Sequence, residues 1–257
     1  MQWTRKGLAL ICALMLMGAV PMAWAETAPV AQFVYGQSEL GRDLICHRVG
    51  SEDAEQSLLM VFGIHGFEDA FDHDGEVLGM IAQKLIAHYA DHPKELKSFC
   101  LYVIPCANPD GLLDGTTQNG FGRCNANGID INRDFPTYWS PNTSSRTRTG
   151  ETAFATAEAR AIRDLVSKIE PDYAVDVHGW AERAFGNGEM TQLIADAFDL
   201  KVKRMIRSSM AATWLDTVTQ ESTLLELPGN PDKGDYVIHS AEGLIKGINS
   251  WIEKCSQ

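Results

Sequence analysis

Val61-Phe62-Gly63-Ile64-His65-Gly66-Phe67-Glu68-Asp69 is the stretch whose reading decides the architecture. An apolar run from Leu58 to Ile64 ends abruptly in a histidine, a glycine and then a carboxylate. Such a run, with no polar alternation, predicts a strand buried on both faces. Open α/β sheets place their sites just beyond the carboxyl ends of such strands. His65 and Glu68 stand three residues apart, within reach of one ion if Gly66 lets the backbone turn tightly. Imidazole nitrogen and carboxylate oxygen suit zinc, with a third ligand drawn from elsewhere in the chain. His-x-x-Glu alone is a common pairing, and a surface loop with an incidental histidine explains it equally well. Later segments supply the parts such a site would need.

Working outward, Glu26 to Gln37 reads as a polar, irregular lead-in, and Leu44 to Val49 as the first strand. The second strand runs to His65. Asp69, Asp72, Asp74 and Glu76 then crowd one loop. That loop reads either as a solvated helix start or as a site mouth that favours an ammonium group. Leu78, Ile81, Leu85 and Tyr89 recur at helical spacing up to about His92, and Pro93 stops the helix. Leu101 to Cys106 is another apolar strand. From Asn108 to Gly150 there is little periodicity, and a stretch that long points to function rather than scaffolding. Ile162 to Ile169 marks a helix, Tyr173 to Val177 a strand, and Thr191 to Trp214 a mixed helical region. Ser222 to Leu227 is the last strand, followed by a helix bearing Ile238, Ala241, Ile245, Ile248 and Ile252 on one face. Alternating strands and helices predict an α/β sheet with helices packed against it.

Arg5-Lys6, an apolar core from Gly7 to Val20 and the Ala23-Trp24-Ala25 ending have the form of a secretory leader over 1–25. The core is short for a membrane span, which needs about 20 residues, so no membrane insertion is expected once the leader is removed. Cleavage would leave 232 of the 257 residues, the length of one α/β domain over 26–257. It would also shift the net charge from −12 to −14, since the leader carries two positive charges and no negative one. So acidic a chain is a poor partner for nucleic acid, whose phosphates must be neutralised by Lys and Arg. Cys46, Cys100, Cys106, Cys124 and Cys255 remain, with no C-x-x-C pair to suggest a cysteine-bound metal. Export would permit disulfides, but the pairing is not legible.

His178 closes an apolar strand, as His65 does. Together with Glu68 they make the two-histidine, one-glutamate set of a catalytic zinc site with an open fourth position. Glu226 lies inside the apolar segment Ser222 to Leu227, where a buried carboxylate needs a reason. One reason is an exposed face on an edge strand. The other is general-base work on an attacking water whose pKa a metal would lower.

Five ordered motifs then acquire meaning together. They are His65-Gly66-x-Glu68, Asn108-Pro109-Asp110-Gly111, Gly128-Ile129-Asp130-Ile131-Asn132-Arg133, Asp176-Val177-His178-Gly179 and Leu225-Glu226-Leu227-Pro228. Their order resembles that of zinc carboxypeptidases of the carboxypeptidase A type. The compact form is most similar to the small bacterial murein-peptide amidases. The resemblance implies a mixed β-sheet with helices on both faces and one zinc ion held by His65, Glu68 and His178. It implies Glu226 as base and Arg123 as the oxyanion arginine. Asn132 and Arg133 would grip a terminal carboxylate, and Asp130 would orient the first zinc histidine. The implied substrate is a peptide or muropeptide, cut beside a free carboxylate at γ-D-glutamyl-meso-diaminopimelate, in the periplasm or outside the cell.

One departure stands out: the family's mobile tyrosine has no counterpart between Gly179 and Leu225. Trp180 or Trp214 are the candidates to fill its role. Three other readings are weighed against the amidase. A general carboxypeptidase would use the same residues, and a non-catalytic wall-peptide binder would keep the fold alone. A serine hydrolase is disfavoured because no Gly-x-Ser-x-Gly occurs.

Overall fold

The computed structural model describes residues 29–257 apart from Lys233, so the expected leader over 1–25 lies outside the described residues. Nine strands and six helices follow the alternation expected from the sequence. They are β1 (Val30–Gln37), β2 (Asp43–Val49), β3 (Gln56–Phe62), α1 (Gly75–Asp91), β4 (Phe99–Ile104), α2 (Pro109–Asp114) and β5 (Thr117–Cys124). Then come α3 (Ala157–Ile169), β6 (Tyr173–Gly179), β7 (Arg183–Phe185), α4 (Glu189–Ala197), β8 (Lys201–Lys203), α5 (Ala211–Leu215), β9 (Glu221–Leu227) and α6 (Tyr236–Cys255).

Eight strands form one mixed sheet in the order β1-β2-β4-β3-β6-β9-β7-β8. The central four, β4, β3, β6 and β9, are parallel. They are also the most apolar, because parallel strands are covered on both faces. Every residue from Leu58 to Phe62 is fully buried. Leu58, Met60 and Phe62 face a core beneath α1, α4 and α6, whereas Leu59 and Val61 face the core of α3 and α5. Helices therefore cover both faces, as expected. From β3 the chain winds outward through α1 to β4, then returns to the other side to form β6. The order thus reverses between β3 and β6, and a crevice opens at their carboxyl ends.

Three readings of the sequence need correction. Residues 30–37 are not an irregular lead-in but β1, which pairs antiparallel with β2. Phe33 and Tyr35 turn inward at a period of two, while Val30 and Val34 lie exposed on the outer side of this edge strand and blur the alternation. The region from Thr191 to Trp214 is not wholly helical, since β8 separates α4 from α5, and β7 precedes both. Short three-residue strands carry too little periodicity to announce themselves. The aperiodic stretch after Asn108 holds α2, β5 and a single helical turn at Ile131–Arg133, and β5 stays outside the large sheet.

Candidate active site

Beyond β3 the chain enters the loop that carries His65 and Glu68. The strand itself ends at Phe62, three residues before the expected His65. Gly66 is required here, because a Cβ at this position would overlap the backbone of Gly111 and Leu112. The amides of Gly66 and Phe67 both donate to Gly122 O, at 3.0 and 3.2 Å. Gly122 holds a φ of +133°, a conformation side chains resist. The residue after it is Arg123, so the same contacts that fix the His65 loop place the arginine. Asn108 completes the brace. Its Oδ1 accepts from Gly111 N at the start of α2, and its Nδ2 donates to the carbonyls of Arg123 and Cys124, both at 3.2 Å.

Glu68 lies between the two histidines. His65 Nδ1 is 3.2 Å from Glu68 Oε2, and His178 Nδ1 is 3.1 Å from Glu68 Oε1. All three side chains are buried, and their ligand atoms lie within 4.8 Å of one another. Burial pushes the Glu68 carboxyl up, but the pull of His178 and His65 outweighs it and holds the group down to about 2. The opposite ring nitrogens are occupied too. His65 Nε2 is 3.0 Å from Asp130 Oδ1, and His178 Nε2 is 3.1 Å from Asp176 Oδ1. Both imidazoles are thus oriented with Nδ1 toward a common point, the arrangement a divalent zinc ion requires of nitrogen and carboxylate ligands. The donor set fits the metal.

The remaining residues gather around this point. A cavity of about 470 Å³ is lined by His65, Glu68, His178, Arg123, Arg133 and Glu226, among others. Glu226 sits on β9 directly opposite His178 on β6. That strand is internal, so the edge-strand explanation of Glu226 falls. Burial pushes its carboxyl above the ordinary range, against a downward pull from His178. Arg123 is 7% exposed, and its Nε has no hydrogen-bond partner among the described residues. Its Nη2 lies 3.9 Å from Asp130 Oδ2. Arg133 gives one donor to Asn132 O at 2.7 Å. Asn132 also lines the cavity, but its amide is committed. Oδ1 accepts from Ala211 N at 2.8 Å, and Nδ2 lies 3.2 Å from His178 Nε2.

Two supporting residues escaped the sequence reading. Asp176 is fully buried, two places before His178 on the same strand and hence on the same face. The Asp-x-His spacing within a strand was the available signal. Asp74, in a loop that reads either as a solvated helix start or as a site mouth, is fully buried instead. It accepts from the amides of Glu68, Asp69 and Ala70 and from the indole nitrogen of Trp180. Asp69 does line the cavity, but both its oxygens are already held by Arg146 Nη2. Asp74 and Asp69 are thus committed to the scaffold, whereas Asp72 and Glu76 are exposed and lie outside the cavity lining. Of the two tryptophans, Trp180 lines the cavity, whereas Trp214 stacks on Phe135 in the core with ring centroids 5.3 Å apart. Trp214 is not at the site.

The described cysteines are all free thiols. No described helix is long and apolar enough to cross a membrane.

Comparison with known proteins gives the family and the fold. A profile of the zinc carboxypeptidase family matches residues 24–222. A bacteriocin of Clostridium perfringens is 32% identical over 228 residues, which is 86% of this chain and 25% of that protein. Murein peptide amidase A of Escherichia coli (strain K12) is 29% identical over 171 residues, 62% of this chain and 63% of the amidase. The chain thus spans a quarter of the first relative and just under two thirds of the second. Among solved structures, the murein-tripeptide amidase of Escherichia coli O157 superposes with a TM-score of 0.65 at 23% identity, covering 88% of this chain and 96% of that one. Carboxypeptidase A of Helicoverpa armigera gives 0.69 at 16% identity, covering 90% and 70%. At those identities the structures speak for the fold. With most of its length matched by the family profile, the chain belongs to the zinc carboxypeptidase family.

Proposed function

We propose that the chain is an exported zinc peptidase that hydrolyses an amide bond beside a free carboxylate, cutting cell-wall peptides between γ-D-glutamate and meso-diaminopimelate. The observation that carries the chemistry is the convergence of His65, Glu68 and His178 on one point of a cavity that Glu226 and Arg123 also line. Zinc bound there would supply a Lewis acid and acidify a water. Glu226, one strand away from His178, takes the proton of the attacking water and delivers it to the leaving amine. A carboxyl raised by burial is the stronger base for that task. Arg123 presents an unpartnered donor to the oxygen on which negative charge develops. Arg133 keeps the rest of its fork for the substrate's carboxylate. Asn132 acts beside it chiefly by fixing the turn into α5 through its side-chain oxygen.

The choice of substrate is supported by the similarity to murein peptide amidase A and by the leader pattern at 1–25, which directs the chain to where wall peptides are found. Removal of ordinary C-terminal residues is the second reading, because Arg133 suits any terminal carboxylate. The test is to incubate the zinc-loaded protein with L-Ala-γ-D-Glu-meso-diaminopimelate and with ordinary peptides, and to identify the products by mass. Release of diaminopimelate is expected. Cleavage of ordinary peptides alone would establish the second reading.

A further inference from the structure

The register of the sheet extends the site outward in a straight line. His178 on β6 is paired with Glu226 on β9, Glu226 with Arg183 on β7, and Arg183 with Lys201 on β8. Side chains at paired positions share a face of the sheet. The row therefore runs from a ligand histidine through the proposed base to two cations. Lys203 lies on the same face two residues on. The chain then turns over the cavity as Arg204-Met205-Ile206-Arg207-Ser208-Ser209-Met210. Ile206, Ser208 and Met210 line the cavity, so Arg207 leaves the chain from its margin. This segment is fastened to the carboxylate-binding side: Ser209 Oγ donates to Arg133 O at 3.0 Å, and Phe135 N donates to Ser209 O at 3.3 Å.

Lys201, Lys203, Arg204 and Arg207 are exposed, and Arg183 is half-buried. No carboxylate lies within ion-pair distance of any of the five among the described residues, whereas Arg42, Arg48, Arg123, Arg146, Arg163 and Lys254 each have one. Other described cations, Lys84, Arg148, Arg160 and Lys246 among them, also lack such a partner, so the five are set apart by their place in the row that leads out from Glu226. Lysines on an edge strand also deter strand pairing between molecules. That explanation covers Lys201 and Lys203 but not Arg183, which is on an internal strand, nor Arg204 and Arg207, which lie beyond the strand end.

We infer that this cationic margin binds a second carboxylate on the residue being released, so that the site selects leaving groups carrying two negative charges. The inference rests on the peptidase reading above for which side of the cavity the released residue occupies. Arg133 takes the carboxylate next to the scissile bond, and the margin takes the one further out. A cleft wall of one charge sign enriches the oppositely charged ligand, and the effect fades with salt.

The test uses full-length, zinc-loaded protein carrying Glu226→Gln to prevent turnover, and calorimetric binding of two ligand pairs that differ in one carboxylate. One pair is benzoyl-glycyl-glutamate against benzoyl-glycyl-glutamine. The other is L-Ala-γ-D-Glu-meso-diaminopimelate against L-Ala-γ-D-Glu-L-Lys. The doubly charged leaving group is expected to bind about five- to fifty-fold more tightly, in line with several exposed charges acting together. Adding Lys201→Gln, Lys203→Gln, Arg204→Gln and Arg207→Gln should bring that ratio to about two or less without changing the Kd of the ligand that lacks the second carboxylate, which also reports that the fold is intact. Raising salt should produce the same loss in the unsubstituted margin. An unchanged ratio after the four substitutions overturns the inference. So does a variant that only loses binding to vesicles of anionic phospholipid, since the margin would then serve a membrane. Because binding is read without turnover, absence of hydrolysis by the unsubstituted enzyme would count against the peptidase reading and leave this comparison decisive.

Discussion

Asp176 Oδ1 lies 3.1 Å from His178 Nε2, and the two residues share one face of β6 because they are two positions apart. Neither Asp176 oxygen has a hydrogen-bond partner among the described residues, so the contact with His178 is an ion-pair approach that a proton on Nε2 would complete. Asn132 Nδ2 also approaches the same ring nitrogen, at 3.2 Å. The two contacts compete, since one needs Nε2 to donate and the other needs it to accept. A ring whose Nδ1 is turned to a metal carries its proton on Nε2, so the Asp176 contact is the one made in the loaded site. Asp176→Asn is therefore expected to weaken zinc binding by about ten- to a hundred-fold, with the thermal transition of the apoprotein little changed. Competition against a chelator of known affinity measures it. Unchanged zinc affinity would remove Asp176 from the site.

Glu226 and the three candidate ligands separate in a second experiment. His65→Ala, Glu68→Ala or His178→Ala should abolish stoichiometric zinc and activity together. Glu226→Gln should retain zinc and lower kcat by about 10²- to 10⁴-fold, the usual worth of a positioned base. Metal analysis beside kinetics distinguishes them. Full zinc in the His178 variant would contradict its assignment as a ligand.

Much of this site was legible in one dimension, and the reasons are physical. β3, β6 and β9 are buried on both faces, so they read as apolar runs, and a polar residue inside or just after such a run stands out. His65, His178 and Glu226 were found that way. Asp130 and Arg123 sit in aperiodic chain, and only the ordered motifs pointed to them. Asp74 is not legible, because an acidic cluster at a helix start looks the same whether its carboxylates face water or cap a loop. Burial leaves no mark on a single tryptophan, so the sequence alone does not separate Trp214 from Trp180. The cationic margin is assembled by strand register, since Arg183 and Lys201 are neighbours only once β7 and β8 are paired.

Gly66 provides a test of the brace beneath the site. A methyl group there has no room beside Gly111 and Leu112, whose backbone cannot yield as a flexible side chain would. Gly66→Ala should cost about 1 to 3 kcal/mol of stability, as overpacking does, and displace His65 and Glu68 together. Denaturant unfolding and zinc titration check the two effects. A variant of full stability would show that the close approach is not required.

Three buried thiols, Cys46, Cys100 and Cys124, and the half-buried Cys106 predict a pH dependence. Burial pushes Cys46, Cys106 and Cys124 up to about 12 and Cys100 to about 11. The thiolate is the reactive form. Native alkylation of these four should therefore stay slow at pH 8.5 and rise about tenfold per pH unit through pH 10, without a plateau. The half-buried Cys255 should react first. Folded thiols hold their protons where unfolded ones release them, so the fold should lose stability as pH rises from about 9 toward 12. Mass spectrometry after timed alkylation, and unfolding at pH 8 and 10, test both limbs. Fast native labelling of Cys46 or Cys124, both buried, at pH 8.5 would refute the burial account.

The two tryptophans separate packing from chemistry. Trp214 is 8% exposed, stacked on Phe135 and set edge-on to Phe154 at 5.5 Å. Trp214→Ala opens a cavity in this cluster and should cost about 3 to 5 kcal/mol, while kcat/KM per folded molecule stays the same. Trp180 lines the active cavity and donates from Nε1 to Asp74 Oδ2 at 2.8 Å. That carboxylate also holds the backbone amide of Glu68, so the indole steadies a candidate metal ligand through one intermediary. Trp180→Phe removes the donor and keeps an aromatic wall. It should lower kcat/KM about tenfold or more and weaken zinc binding, with a much smaller loss of stability than at Trp214. Paired measurements of denaturant unfolding, zinc affinity and kcat/KM on both variants decide the matter. If Trp180→Phe changes stability alone, the indole is a packing residue and the cavity wall plays no part in holding Glu68.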